Sequence, residues 1–187
     1  MRVVWNIPNL LTLARVLSAP TLAWLILRDN YLLALYVFIA AALTDAIDGF
    51  LARRLHQETE FGAALDPLAD KLIGLTVLIL LTMQHWIPLW LTLVVVMRDS
   101  VIVAGAFAYH RLFGEIEIRP PALGKLHIFL MFVVLLATLA YAAKWPAIAP
   151  WLTWAHGVLL ISALATLAQY VWLWGKKAER EAARRAA

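Results

Sequence analysis

The sequence has no cysteine, and only 15% of its 187 residues are charged. Without cysteine there is no disulfide framework to hold a small secreted scaffold together. So few charges exclude an ordinary soluble enzyme, because average soluble domains carry ~25% charged and ~45–50% apolar residues. The same scarcity excludes a disordered chain, which needs high charge and low hydrophobicity. What is present instead is apolar: 64% of the residues are hydrophobic and the mean hydropathy is +0.80. A water-soluble fold of this length could not bury so much apolar surface and still cover itself with polar groups. The length suits roughly one domain.

A membrane-spanning helix needs ~20 mostly apolar residues. Six stretches qualify: 10–27, 32–52, 68–83, 88–109, 123–142 and 148–174, the third being short. The fold class expected is all-α, an integral membrane bundle of six transmembrane helices. Trp5, Ile7 and Leu10 to Leu13 add a short interfacial helix before the first span. Arg15 interrupts the apolar run that a cleavable signal would need. Basic residues set the orientation. With the N-terminus inside, Arg2, Arg53, Arg54, Arg111, Arg119 and the tail cations fall inside, and only Arg28 and Lys144 fall outside. Trp86, Trp90, Trp145, Trp151 and Trp154 then mark the outer boundary as interfacial anchors. Residues 1–175 form a single membrane domain, and 176–187 a basic cytoplasmic tail.

Ionisable residues inside spans are costly and point to function. Asp45 and Asp48 are three residues apart near the inner end of the second span, so they share a helix face. Asp66 and Asp70 are four apart at the start of the third and share a face there. Four carboxylates converging at membrane depth would repel and protonate unless compensated. One bound divalent cation, or two, is the simplest compensation, and oxygen ligands favour Mg²⁺ or Mn²⁺. Arg53 lies on the face of Asp45 and Gly49, with small residues leaving space beside a cation suited to phosphate oxygens. Carboxylates for metal, glycines for space and an arginine for phosphate describe a phosphate-transfer site rather than an ion path.

These residues fall in the pattern Asp45-x2-Asp48-Gly49-x2-Ala52-Arg53-x8-Gly62-x3-Asp66-x3-Asp70. It resembles the complete signature of the CDP-alcohol phosphatidyltransferases, with no position departing from it. The resemblance implies six-span membrane enzymes, usually homodimeric, that displace CMP from a CDP-linked lipid with an alcohol. It implies that Asp45, Asp48, Asp66 and Asp70 hold Mg²⁺ or Mn²⁺. Asp70 would also take the proton of the acceptor hydroxyl, and Gly49, Ala52, Arg53 and Gly62 would bind the CDP group. The opening Pro8-Asn9-Leu10-Leu11-Thr12-x2-Arg15 and the segment Leu65 to Lys71 are similar to two branches of the family. These are the phosphatidylglycerophosphate synthases and the cardiolipin synthases. Arg98-Asp99 looks more like the cardiolipin branch.

The expected function is therefore phospholipid synthesis in a bacterial-type inner membrane, with both termini and the active site on the cytoplasmic side. The expected partners are CDP-diacylglycerol, a glycerol-containing acceptor, membrane lipid and a second copy of the chain, and no nucleic acid. The acceptor is taken as phosphatidylglycerol, the alternative being glycerol 3-phosphate. Either phosphate needs cations in its pocket, and Arg98, Lys125, Arg111 and Arg119 are available. Arg98 and Asp99 could also be a local charge pair, although adjacent residues do not face each other on a helix. His85, His110, His127 and His156 are isolated and read as surface or packing residues. A cation transporter could also use intramembrane carboxylates. The acids here cluster at one side of the membrane, however, and no inverted repeat of broken helices is present.

Overall fold

The computed structural model describes residues 7–55, 60–113 and 121–186, with side chains at 17–44, 71–111, 121–177 and 179. Helices account for nearly all of them: α1 (Ile7–Leu27), α2 (Tyr31–Leu55), α3 (Glu60–Met83), α4 (Leu89–Phe113), α5 (Ala122–Ala142) and α6 (Ala149–Ala186). A single 3-10 turn, Pro146–Ile148, precedes α6, and no strand occurs among the described residues. Helices are what such a sequence must form in hydrocarbon, where every backbone N–H and C=O has to be satisfied within its own segment. A 21-residue helix such as α5 is ~31 Å long, about the thickness of the bilayer core.

Among the described residues, three segments are long and apolar enough to cross a membrane: Leu89–Arg111, Ala122–Ala142 and Pro146–Lys177. Shorter apolar pieces of the other helices, Leu17–Leu27, Tyr31–Thr44 and Lys71–Met83, lie among the residues with described side chains. The protein is thus an all-helical membrane protein. One element differs from the sequence expectation. Residues 7–13 continue directly into the rest of α1, with no break that would make them a separate helix. α6 runs unbroken for 38 residues and carries on through most of the Ala-rich basic tail.

The chain divides into two compact units, residues 1–87 with 135–150, and residues 88–134 with 151–187. In the first, α1 packs against both α2 and α3. Leu22 and Ile26 of α1, Ala34 of α2 and Val77, Leu78 and Leu81 of α3 are fully buried, as are Leu135 and Leu139 of α5. Equally apolar neighbours on the same helices, such as Trp24, Leu33 and Met83, stay exposed. Composition alone does not distinguish the two sets, because these helices are apolar all round.

Three turns close in one way. Asp29, His85 and Lys144 adopt left-handed φ values of 56°, 63° and 69°. The residue after each donates its backbone N–H five positions back: Asn30 to Leu25, Trp86 to Leu81 and Trp145 to Ala140. This is the six-to-one closure of a Schellman motif, formed here without glycine. At the first turn the Tyr31 hydroxyl donates to Asp29 Oδ1 at 2.7 Å. The Tyr31 ring meets Trp86 edge-on at 5.6 Å, and Trp86 meets Tyr141 at 5.7 Å. Trp86 is therefore a packing residue between two tyrosines, whereas Trp90, Trp145, Trp151 and Trp154 are exposed, as interfacial anchors would be.

Candidate functional site

The second unit contains α4, the first part of α5 and most of α6. Its core includes Leu91 and Val95 of α4, Val134 of α5 and Leu159 and Ala163 of α6. Into this apolar packing the helices bring Arg98, His127 and Thr166, at 6%, 1% and 1% exposure. A buried cation survives only if its donors are satisfied. Arg98 Nε donates to Thr166 Oγ1 at 3.1 Å, and Nη1 donates to Asp99 Oδ1 at 2.5 Å. The guanidinium also stands 6.0 Å from the centre of the Tyr170 ring, at the outer limit of a cation–π contact.

Arg98 and Asp99 form the local charge pair that the sequence left open, although they are neighbours on one helix. The long arginine side chain curls back far enough to bond the adjacent carboxylate, which is itself half-exposed. His127 is buried in the helix packing, one of the two places expected for it, but it is not isolated: its Nδ1 lies 2.8 Å from Ser162 Oγ. Ser162 and Thr166 are one turn apart, and the Thr166 hydroxyl also bonds the Ser162 carbonyl at 2.8 Å. Tyr170 follows one turn later, with its hydroxyl over Gly124, where a Cβ would come within 3.4 Å. A polar row at 162, 166 and 170 on α6 thus receives Arg98 from α4 and His127 from α5. The sequence reading missed all three members of the row, although their spacing of four within an apolar run was the available signal.

Of the other expected acceptor residues, Lys125 and Arg111 do not join this network among the described residues. Lys125, near the start of α5, is exposed, and its side chain has no hydrogen bond or ion pair among the described residues. Arg111 is exposed and lies over the Phe107 ring at 5.2 Å. Arg119 lies outside the described residues.

The backbones of Asp45, Asp48, Gly49, Ala52 and Arg53 stand in α2, and those of Gly62, Asp66 and Asp70 in α3. Each pair of aspartates is therefore about one helical turn apart on one helix, as the spacing predicts. The side chains of all eight lie outside the described residues. As a donor set, four carboxylates with no sulfur or imidazole fit a hard divalent cation.

Comparison with known proteins extends beyond these residues. Residues 5–169 match the CDP-alcohol phosphatidyltransferase family. A cardiolipin synthase (CMP-forming) of Rattus norvegicus is 34% identical over 152 residues, covering 73% of this chain and 50% of that protein. One from Streptomyces coelicolor is 37% identical over 153 residues, covering 77% and 70%. A CDP-diacylglycerol–glycerol-3-phosphate 3-phosphatidyltransferase of Pseudomonas fluorescens is 50% identical over 105 residues, covering 53% of each chain. The chain spans about half the length of the rat and Pseudomonas relatives. With its helical architecture, its signature residues and a match over most of its length, the chain belongs to the CDP-alcohol phosphatidyltransferase family.

Proposed function

We propose that the chain transfers a phosphatidyl group from CDP-diacylglycerol to a glycerol hydroxyl and releases CMP. The observation that carries this reading is the eight-residue signature from Asp45 to Asp70, within a family match over residues 5–169. The acceptor hydroxyl oxygen attacks the lipid-side phosphorus, the bond from that phosphorus to the CMP oxygen breaks, and the hydroxyl proton passes to Asp70. Asp45, Asp48, Asp66 and Asp70 would hold one or two Mg²⁺ or Mn²⁺ ions. Bound there, such ions neutralise diphosphate charge and stabilise the departing CMP. Arg53 offers a planar fork to phosphate oxygens. Gly49, Ala52 and Gly62 leave room for the CDP group against the helix backbone. Most of the work is positioning and charge stabilisation.

The acceptor we favour is phosphatidylglycerol, which makes the product cardiolipin. The Arg98-Asp99 sequence and the relatives named cardiolipin synthase support it. Glycerol 3-phosphate is the second reading, supported by the 50% identity to the Pseudomonas protein. Arg98, Lys125, Arg111 and Arg119 would serve the acceptor phosphate in either case. The same reading includes six spans, a headgroup-level N-terminal segment, both termini and the active site on the cytoplasmic side of an inner membrane, and a homodimer.

The test is purified protein in liposomes with CDP-diacylglycerol and Mg²⁺ or Mn²⁺, offered each acceptor separately. CMP release with cardiolipin formed only from phosphatidylglycerol establishes the favoured reading. Product only from glycerol 3-phosphate establishes the second, and no CMP release with either acceptor defeats both.

A further inference from the structure

His127 is 1% exposed, and its Nε2 has no hydrogen-bond partner among the described residues. Its other ring nitrogen fixes what Nε2 can be. Ser162 has one hydroxyl proton and donates it to the Leu159 carbonyl at 2.8 Å. The tautomer that satisfies both this hydroxyl's bond to the carbonyl and the 2.8 Å contact has His127 Nδ1–H as the donor and Ser162 Oγ as the acceptor. In the neutral imidazole the proton on Nδ1 leaves Nε2 as a bare lone pair. Such a group, buried in an apolar helix packing, is an acceptor waiting for an O–H or N–H.

Arg98 presents the complementary half. A guanidinium has five N–H donors. Thr166 Oγ1 and Asp99 Oδ1 take two of Arg98's, and the rest have no partner among the described residues. Arg98 and His127 are anchored on the same helix through Thr166 and Ser162, four residues apart and so ~6 Å along the axis. A spare cationic donor set and a spare neutral acceptor, anchored one helical turn apart on α6, suit a ligand with an anionic oxygen and a hydroxyl on neighbouring carbons.

We propose that His127 Nε2 and Arg98 together read a glycerol phosphate group, Arg98 binding a phosphate oxygen and His127 accepting the hydrogen bond of the secondary hydroxyl. The secondary hydroxyl is chosen because its carbon adjoins the one bearing phosphate, which keeps it close to the group held by Arg98. This assignment rests on the transferase reading and deepens it: His127 becomes a specificity residue for the acceptor. The glycerol phosphate can be free or can be the headgroup of phosphatidylglycerol.

The experiment deletes the hydroxyl from the ligand and the lone pair from the protein. The free probes are glycerol 3-phosphate and 3-hydroxypropyl phosphate, which lacks only the secondary hydroxyl. The lipid probes are phosphatidylglycerol and phosphatidylpropanediol. Each keeps a terminal hydroxyl, so turnover remains available. With wild-type protein the hydroxyl-deleted member of the accepted pair should have a KM roughly five- to tenfold higher at similar kcat, as expected for one buried hydrogen bond. His127→Asn keeps a donor for Ser162 and withdraws the distal acceptor. It should raise the KM of the hydroxylated probe by the same factor, lose the discrimination, and leave the KM for CDP-diacylglycerol unchanged. His127→Gln, whose amide reaches farther, should recover part of it. The pair that shows discrimination identifies the source of the ligand. Equal KM values for both members of each pair with wild-type protein overturn the proposal without any variant, as does discrimination that survives His127→Asn. If the wild-type protein releases no CMP at all, the transferase reading fails. Calorimetric binding then still decides the role of His127: equal affinities within both the free pair and the lipid pair in liposomes, or no binding of any of the four probes, overturn it.

Discussion

Replacing Thr166 with valine keeps the β-branched shape and removes only the oxygen that accepts Arg98 Nε–H at 3.1 Å. Both residues are buried, so no water takes the vacated position. Hydrogen bonds to charged groups are worth ~1.5–3 kcal/mol in soluble proteins, whereas interhelical bonds in a membrane average ~0.6 and reach ~1.7 kcal/mol. A charged donor with its acceptor deleted belongs at the upper end of the membrane range, and the expected loss is about 1.5 kcal/mol. The assay is unfolding in mixed micelles of rising denaturing-detergent content, followed by circular dichroism. Thr21→Val is the control, because among the described residues that exposed hydroxyl bonds only the Leu17 carbonyl of its own helix, and it should cost under ~0.5 kcal/mol. The Arg98→Met background completes a double-mutant cycle. There Thr166→Val should cost little, giving a coupling of about 1 kcal/mol. A cost equal to that of Thr21→Val, or one undiminished in Arg98→Met, would refute the idea that Thr166 serves the buried cation.

Gly105→Ala places a methyl where the Trp174 indole lies, so the ring must move; about 1–3 kcal/mol of destabilisation and a shifted tryptophan emission are expected, with Trp174→Leu restoring stability. Asp70→Asn should lower CMP release by at least ~100-fold with an unchanged circular dichroism spectrum, in line with removal of a general base; near-normal turnover would remove Asp70 from that role. EDTA should abolish CMP release, and excess Mg²⁺ or Mn²⁺ should restore it, with radiometric product as the readout; resistance to chelation would dismiss the metal reading. His85→Val puts a β-branched residue at φ 63° and should lower stability by roughly 1–2 kcal/mol, whereas His85→Gly should be tolerated, as judged by the same unfolding assay.

The all-helical membrane architecture was legible because runs such as 123–142 match the bilayer in length, and α5 occupies 122–142. The family was legible because the spacing of the signature residues is specific. Packing faces were not. Leu81 is fully buried and Met83 is 63% exposed, yet both are apolar, so no period separates them. The role of His127 was hidden for a related reason. Its partner is Ser162, 35 positions away on another helix, and no local pattern joins them. Arg98 was noticed for its charge, but the reach that lets it bond its neighbour Asp99 is a rotamer property rather than a spacing rule. Trp86 resembles the other boundary tryptophans in sequence and differs only because Tyr31 and Tyr141 flank it.

The hydroxyls of α6 set a rule for mutational tolerance. The Thr166 proton is committed to the carbonyls of Ser162 and Ala163, and the Ser162 proton to that of Leu159. Each side chain therefore turns only lone pairs toward its neighbours, and the helix accepts bonds there without offering any. Positions 98 and 127 can vary in size and even in charge provided they still donate. In a saturation library, lysine at 98 and asparagine at 127 should survive selection for expression, and glutamate at either should be depleted. A helix whose polar atoms are locked by its own backbone thus filters the substitutions open to the helices beside it.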